Sequence, residues 1–185
     1  MTLFGDGLDT AVQKAFTRPA PKSAPVQMRY LVKQLKGTKP VAQMLRISQR
    51  TVERYVKDQI KKPRPDLAAR LEREVKKRWQ PQIRTKARQQ AATTGGIVID
   101  TRARIGYTAP IGSTDEDRLR HLTVALPPRY AARLFEAQEQ GAPEQRLREI
   151  AAEGLKEVYF QDNGRRAGQL EEVRFTDIEH LEFDL

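Results

Sequence analysis

The sequence predicts a mainly helical α+β chain with short strands: an N-terminal helix-turn-helix module followed by a C-terminal strand-helix-helix module. Three observations predict it. Apolar residues recur at helical spacing from Val26 to Trp79. They alternate, with many β-branched side chains, in Ile97–Asp100, Arg104–Thr108 and His121–Leu126. The charge changes sign near Gly95-Gly96: residues 1–95 hold 22 Lys+Arg against 7 Asp+Glu, and residues 96–185 hold 12 against 17.

Composition narrows the classes further. Only 38% of the 185 residues are apolar and 6% aromatic, which suits small modules joined by loops. There is no cysteine, so disulfides, thiolate metal sites and cysteine nucleophiles are excluded. The two histidines, His121 and His180, are too few for an imidazole metal cage, and no metal site is expected. The first ten residues carry two acids and no base, unlike a signal peptide. The longest apolar runs, IVI and VAL, fall far short of the ~20 residues of a membrane span. The expectation is a soluble cytoplasmic protein with no membrane partner. Its net charge of +10, concentrated in one half, points to a polyanion.

Residues 1–25 read as a short amphipathic helix, with Leu8, Val12, Ala15 and Phe16 on one side, and the linker TRPAPKSAP. Residues 26–95 form the basic module. Within it, GTKPVAQMLRISQRTVERYVK contains two helices and a tight turn. Thr38 is placed to cap the first helix, with Pro40 in its early turn, and Val41, Met44 and Leu45 face inward. Arg46-Ile47-Ser48 makes the turn and Ser48 caps the second helix, whose Val52, Tyr55 and Val56 face inward. Gln49, Arg50, Thr51, Glu53, Arg54 and Lys57 are left partly or wholly outward. All but Glu53 are candidate DNA contacts, because Gln pairs with adenine and Arg with guanine in the major groove. Lys39, Lys57, Lys61 and Lys62 suit phosphates. The competing reading is a plain helical hairpin with a charged face. The stretch resembles the helix-turn-helix of phage and bacterial DNA-binding proteins over about twenty residues. A third helix, PDLAARLEREVKKRW, turns Leu67, Leu71 and Val75 inward, with Trp79 as an anchor.

Residues 96–119 hold two short strands, Ile97–Asp100 and Arg104–Thr108, and a loop at Pro110–Asp117. Residues 120–161, RHLTVALPPRYAARLFEAQEQGAPEQRLREIAAEGLKEVYF and Gln161, read as strand, helix, Gly turn and helix, with Leu122, Val124 and Leu126 toward the core. This order is similar to ribbon-helix-helix proteins, which pair strands between two chains, so a homodimer is an expectation. Ala125 stands where a polar, base-reading residue would be needed, which argues against DNA reading by this part. Residues 162–185 form an acidic tail.

The loop GSTDEDR places Ser113 and Thr114 beside Asp115, Glu116 and Asp117. Locally, a hydroxyl before acids is a helix start. A metal site is a weaker reading, since no further ligand lies at a useful spacing. The order of basic helix-turn-helix half, Gly pair, GYTAPIGSTDEDR, RHLTVALPPRYAARLF and acidic C-terminal part resembles the telomere-protecting terminal proteins of linear actinobacterial (streptomycete-type) chromosomes and plasmids. The resemblance implies a protein bound at chromosome ends and covalently attached to 5′ ends of DNA. It implies that Thr114 is the priming hydroxyl, with Ser113 and Tyr107 as alternatives. The partners implied are telomeric DNA (single-stranded or folded 3′ overhang), a telomere-associated recruiting protein and a DNA polymerase. The polymerase would bring Mg²⁺ and the deoxynucleotide triphosphate, so the chain has no cofactor of its own and is a substrate, not an enzyme. The alternative is a non-covalent dimeric DNA-binding regulator or partition protein. A nuclease or recombinase accessory enzyme lacks a catalytic cluster. If the three acids imitate primer charge, replacing Asp115, Glu116 and Asp117 together by amides weakens priming, measured as nucleotide incorporation, and leaves DNA affinity intact or raised.

Overall fold

The computed structural model describes residues 3–108, 115–161, 163 and 170–185, and for 115 and 116 the backbone alone. In chain order the helices are α1 (Leu3–Lys14), α2 (Ala24–Gln34), α3 (Thr38–Leu45), α4 (Gln49–Val56), α5 (Pro65–Arg78), α6 (Pro81–Gln90), α7 (Pro128–Glu139) and α8 (Glu144–Leu155). The strands are β1 (Ile97–Thr108), β2 (Asp115–Leu126) and β3 (Glu172–Asp184). Single π-turns, Ala91–Gly95 and Lys156–Phe160, extend α6 and α8. The fold is α+β, as the patterning predicts. The chain forms two compact units, Phe16–Pro81 and Met1–Ala15 with Gln82–Leu185.

The Phe16–Pro81 unit is helical. Prolines at the starts of α2 and α5 sit where a missing N–H leaves no bond unmade. Met28 and Leu31 of α2, Val41 and Leu45 of α3, Val52 and Tyr55 of α4, and Leu71 and Val75 of α5 close one core. Burial pushes up the Tyr55 phenol. Trp79 packs on Tyr30 with ring centroids 5.0 Å apart and donates its indole N–H to the Arg18 carbonyl at 2.9 Å. The linker is thereby fastened to the end of α5.

The second unit is built on an antiparallel sheet of order β2-β1-β3. Ile97, Ile99, Ala103 and Ile105 of β1 point to the covered face, with Leu122, Val124 and Leu126 of β2 and Val173, Phe175 and Phe183 of β3. Tyr130, Ala131 and Leu134 of α7 and Leu147, Ile150 and Leu155 of α8 complete that core. α1 belongs to this unit. Phe4 stacks edge-on against Phe175 and tilted against Phe183, each at 5.9 Å. Gly7 lets the helix lie close, because a Cβ there would stand 2.9 Å from the Phe183 ring. Near the end of α8, Arg129 and the Tyr130 hydroxyl hold Glu157 in the second π-turn. The Arg129 hydrogen bond is the main cause that keeps the Glu157 carboxyl below its usual range.

Several expected boundaries differ. Ile97–Asp100 and Arg104–Thr108 are parts of one twelve-residue strand, because Thr101, Arg102 and Ala103 pair with Leu122, His121 and Arg120. β2 starts at Asp115, so the three acids open a strand. Glu172–Asp184, read as part of an acidic tail, is β3, bonded along β1 from Val98 to Thr108. The N-terminal helix does not form a segment with the linker, and the division falls at Pro81 rather than near residue 95. The reason is electrostatic as well as apolar. Arg84 of α6 reaches Asp9 of α1 at 2.8 Å, and Arg88 pairs with Glu139 of α7 at 2.6 Å. β2 pairs with β1 of the same chain, and its outer edge has no strand neighbour among the described residues.

On the open face of the sheet, Asp100 joins all three strands. Its carboxylate accepts from the Thr123 hydroxyl at 2.5 Å and lies 3.4 Å from His121 Nε2 and 3.3 Å from His180 Nε2. The Thr123 hydrogen bond first, then the imidazoles, hold the Asp100 carboxyl below the usual aspartate range. A depressed carboxyl stabilises the fold above its unfolded pKa, and this is lost as pH falls through its folded pKa. Asp100→Asn is expected to lower stability at neutral pH and flatten the acid limb of a stability–pH curve measured by urea unfolding. At Gly96, φ is +74° and a Cβ would stand 2.3 Å from the Leu126 carbonyl oxygen. Gly96→Ala is expected to destabilise by about 2–4 kcal/mol, lowering Tm by roughly 10 °C in a thermal melt.

Candidate nucleic-acid interface

The segment Gly37–Lys57 is held at every joint. Gly37, not Thr38, occupies the N-cap position of α3, and Thr38 is its first helical residue. Pro40 falls among the first residues, whose N–H groups have no intrahelical acceptor. α3 ends on Arg46, which adopts the left-handed conformation at φ 53°. Arg46 N–H donates to the Gln43 carbonyl at 3.1 Å and Ile47 N–H to the Ala42 carbonyl at 3.0 Å, a Schellman closure made without glycine. Ser48 then caps α4: its Oγ accepts from Thr51 N–H at 3.2 Å and lies 2.8 Å from the Thr51 hydroxyl. At the far end, Arg29 of α2 donates to the Val56 carbonyl at 3.1 Å and pairs with Asp58 at 2.6 Å. A helix of eight residues, too short to be stable alone, is thus fixed by its caps and by Val52 and Tyr55 in the core.

The outward side of α4 is cationic. Arg50, Arg54 and Lys57 are exposed and lie at i, i+4 and i+7, one helix face. Lys39, Lys61 and Lys62 are exposed as well. Among the described residues, none of these six side chains is recorded in an ion pair. Phe16–Pro81 carries 18 Lys+Arg against 5 Asp+Glu, and the acids are engaged or set apart. Asp58 pairs with Arg29, Glu72 with Lys76 at 2.7 Å and Glu74 with Arg78 at 2.5 Å. Asp66 sits in the first turn of α5. Glu53 accepts from the Gln49 amide at 3.0 Å. Thus Gln49 is exposed but engaged by Glu53, and Thr51 is half-buried and engaged by Ser48. Arg46 projects into solvent from the turn, a position the sequence reading assigned to connection alone.

Thr114 and Ser113 lie outside the described residues, between the end of β1 and the start of β2. Tyr107, the third candidate hydroxyl, is on β1, paired with Asp115 in the sheet register, and its ring stacks on Phe160 at 5.6 Å. Asp115–Leu126 is a strand, so no helix begins at the three acids. Among the described residues there is no group of three His, Cys, Asp or Glu placed to hold a metal ion, and no helix long and apolar enough to cross a membrane. No protein-family model, curated protein or solved structure matches the chain.

If α4 enters a DNA groove, base-reading and phosphate-anchoring roles separate by measurement. In that case Arg50→Ala is expected to weaken duplex binding about 5- to 150-fold at its preferred sequence and to relax that preference. Lys57→Gln is expected to weaken binding to all sequences alike and to reduce the slope of log K against log salt by about 1. Titrations of each variant across salt concentrations distinguish the two.

Proposed function

We propose that the protein binds DNA through α4 and the lysines that follow it, and that it serves as protein primer and end cap of a linear replicon. The observation that carries the DNA reading is the face of Arg50, Arg54 and Lys57, followed in the chain by Lys61 and Lys62, with no ion pair among the described residues, on a helix locked at both ends. A fixed helix loses little conformational entropy on entering a groove, and unpaired cations displace the counterions of the phosphates.

The priming role rests on the resemblance and on the place of Thr114 in the sequence between two paired strands. In priming, Thr114 Oγ attacks the α-phosphate of a deoxynucleotide triphosphate. A new O–P bond forms, the bond to pyrophosphate breaks, and the hydroxyl proton passes to a base or water in the polymerase site. A threonine hydroxyl is not ionised near neutral pH, so activation falls to the polymerase's metal ions. Telomeric DNA, a recruiting protein and the polymerase are the partners of this reading, with Mg²⁺ and nucleotide brought by the polymerase. The outer edge of β2, which has no strand neighbour among the described residues, favours a second reading, a non-covalent dimeric regulator or partition protein.

Incubation with polymerase-containing extract, Mg²⁺ and each deoxynucleotide in turn, followed by intact-mass and peptide mapping, tests the primer. The expected outcome is a single nucleotide adduct on the peptide containing residues 112–118, kept in Ser113→Ala and lost in Thr114→Val. Duplex binding without any adduct would leave the regulator.

A further inference from the structure

A cleft in the Phe16–Pro81 unit lies where the start of α2, the segment between α4 and α5, and α5 itself meet. Lys22, Ser23 and Gln27 line it from around α2, Lys61 and Lys62 from the connecting segment, and Glu72 from α5. We propose that this cleft binds a phosphate dianion, either the terminal phosphomonoester of a nucleic-acid strand or free inorganic phosphate. The choice of nucleic acid rests on the DNA-binding reading; the site itself does not.

Three features argue for such a ligand. The first is charge. Lys22, Lys61 and Lys62 are exposed and, among the described residues, none is recorded in an ion pair. The one acid at the cleft, Glu72, pairs with Lys76 at 2.7 Å. Three like charges around one hollow repel one another, and an anion between them removes that repulsion. The second is donor capacity. Gln27 is only 7% exposed, yet it lines the cleft and spends one amide N–H on the Pro21 carbonyl at 2.8 Å. An amide nitrogen carries two N–H groups, and among the described residues the second meets no acceptor. The Ser23 hydroxyl, in the N-cap position of α2, makes no capping bond. Ammonium, hydroxyl and amide groups all donate, and phosphate oxygens all accept.

The third is shape. A phosphodiester is substituted on two sides and presents its oxygens along a strand, which suits a ridge of cations such as Arg50, Arg54 and Lys57. A phosphomonoester projects from a single oxygen and can enter a hollow. It carries about −1.5 to −2 charge at neutral pH, against −1 for the diester, and so answers three ammonium groups better. Lys61 and Lys62 line the cleft and stand a few residues beyond the end of α4 in the chain. A strand held along α4 could therefore offer its end to the cleft.

The test uses the full chain at constant ionic strength, one short duplex with 5′-phosphate or 5′-hydroxyl ends, and inorganic phosphate as a separate titrant. The phosphorylated duplex is expected to bind about tenfold tighter. Lys22→Gln should abolish the ratio and leave the affinity for hydroxyl ends unchanged, while Arg50→Ala should weaken both duplexes and preserve the ratio. The ratio should fall toward one as pH drops through the second phosphate ionisation near 6. Equal duplex affinities, with inorganic phosphate binding that Lys22→Gln removes, assign the cleft to free phosphate. If no duplex binds but inorganic phosphate still does, the DNA-binding reading falls and the cleft stands. Equal duplex affinities with no binding of inorganic phosphate overturn the inference.

Discussion

The second unit depends on the burial of one face of β1. A central strand needs partners on both edges, because each of its residues carries a donor and an acceptor that lose water on folding. β2 supplies one edge and β3 the other. The three strands then present a shared apolar face, from Ile97, Ile99 and Ile105 to Phe175 and Phe183. α7 and α8 cover it together with α1, whose Phe4 meets the two phenylalanines of β3. Lys14, at the end of the same helix, pairs with Glu182 at 2.6 Å and Asp184 at 3.0 Å. These ion pairs are exposed and contribute little. The aromatic contacts and the close approach at Gly7 hold the helix in place.

This arrangement divides the basic residues into two kinds. Some are structural. Arg84 is 8% exposed and bound to Asp9, and Arg88 bridges toward Asp9 and Glu139 while its guanidinium lies 5.2 Å from the Phe135 ring. Such cations are neutralised by their own fold and cannot also answer a phosphate without breaking it. Others, Arg50, Arg54, Lys57, Lys61 and Lys62, have no such partner among the described residues. Only the second kind is left to meet a polyanion. In composition the two are identical, and the difference is where the carboxylates fall.

The short helices of the first unit show how local chemistry and packing divide the work. Three helix ends close on left-handed residues that are not glycine, Lys36, Arg46 and Asp58. A left-handed side chain costs about 1–2 kcal/mol. The cost is offset by the bonds each turn makes: Gly37 to Val32, Ile47 to Ala42 and Gln59 to Arg54. These turns keep charged side chains exposed at the ends of helices whose inner faces are mainly apolar.

What the sequence determined alone is what neighbours within a few residues decide. Ser48 as a cap, Val52 and Tyr55 as the inner face of α4, and the alternation of Leu122, Val124 and Leu126 were all legible, because caps and periodicity act over one turn or one pleat. So was the exposure of Arg50, Arg54 and Lys57. Tertiary structure decided the partners. A Gly pair and a change of charge resembled a boundary, but Gly96 instead lets β1 begin against the Leu126 carbonyl. An acidic C-terminal stretch resembled a tail, but its alternating Val173, Phe175 and Phe183 needed β1 to become a strand. The engagement of Gln49 by Glu53 also lay beyond reading, since it turns on which rotamers meet across one turn of helix. Strand pairing and ion pairing between residues far apart in the chain leave no mark at any single position; only the assembled core selects among the partners that composition allows.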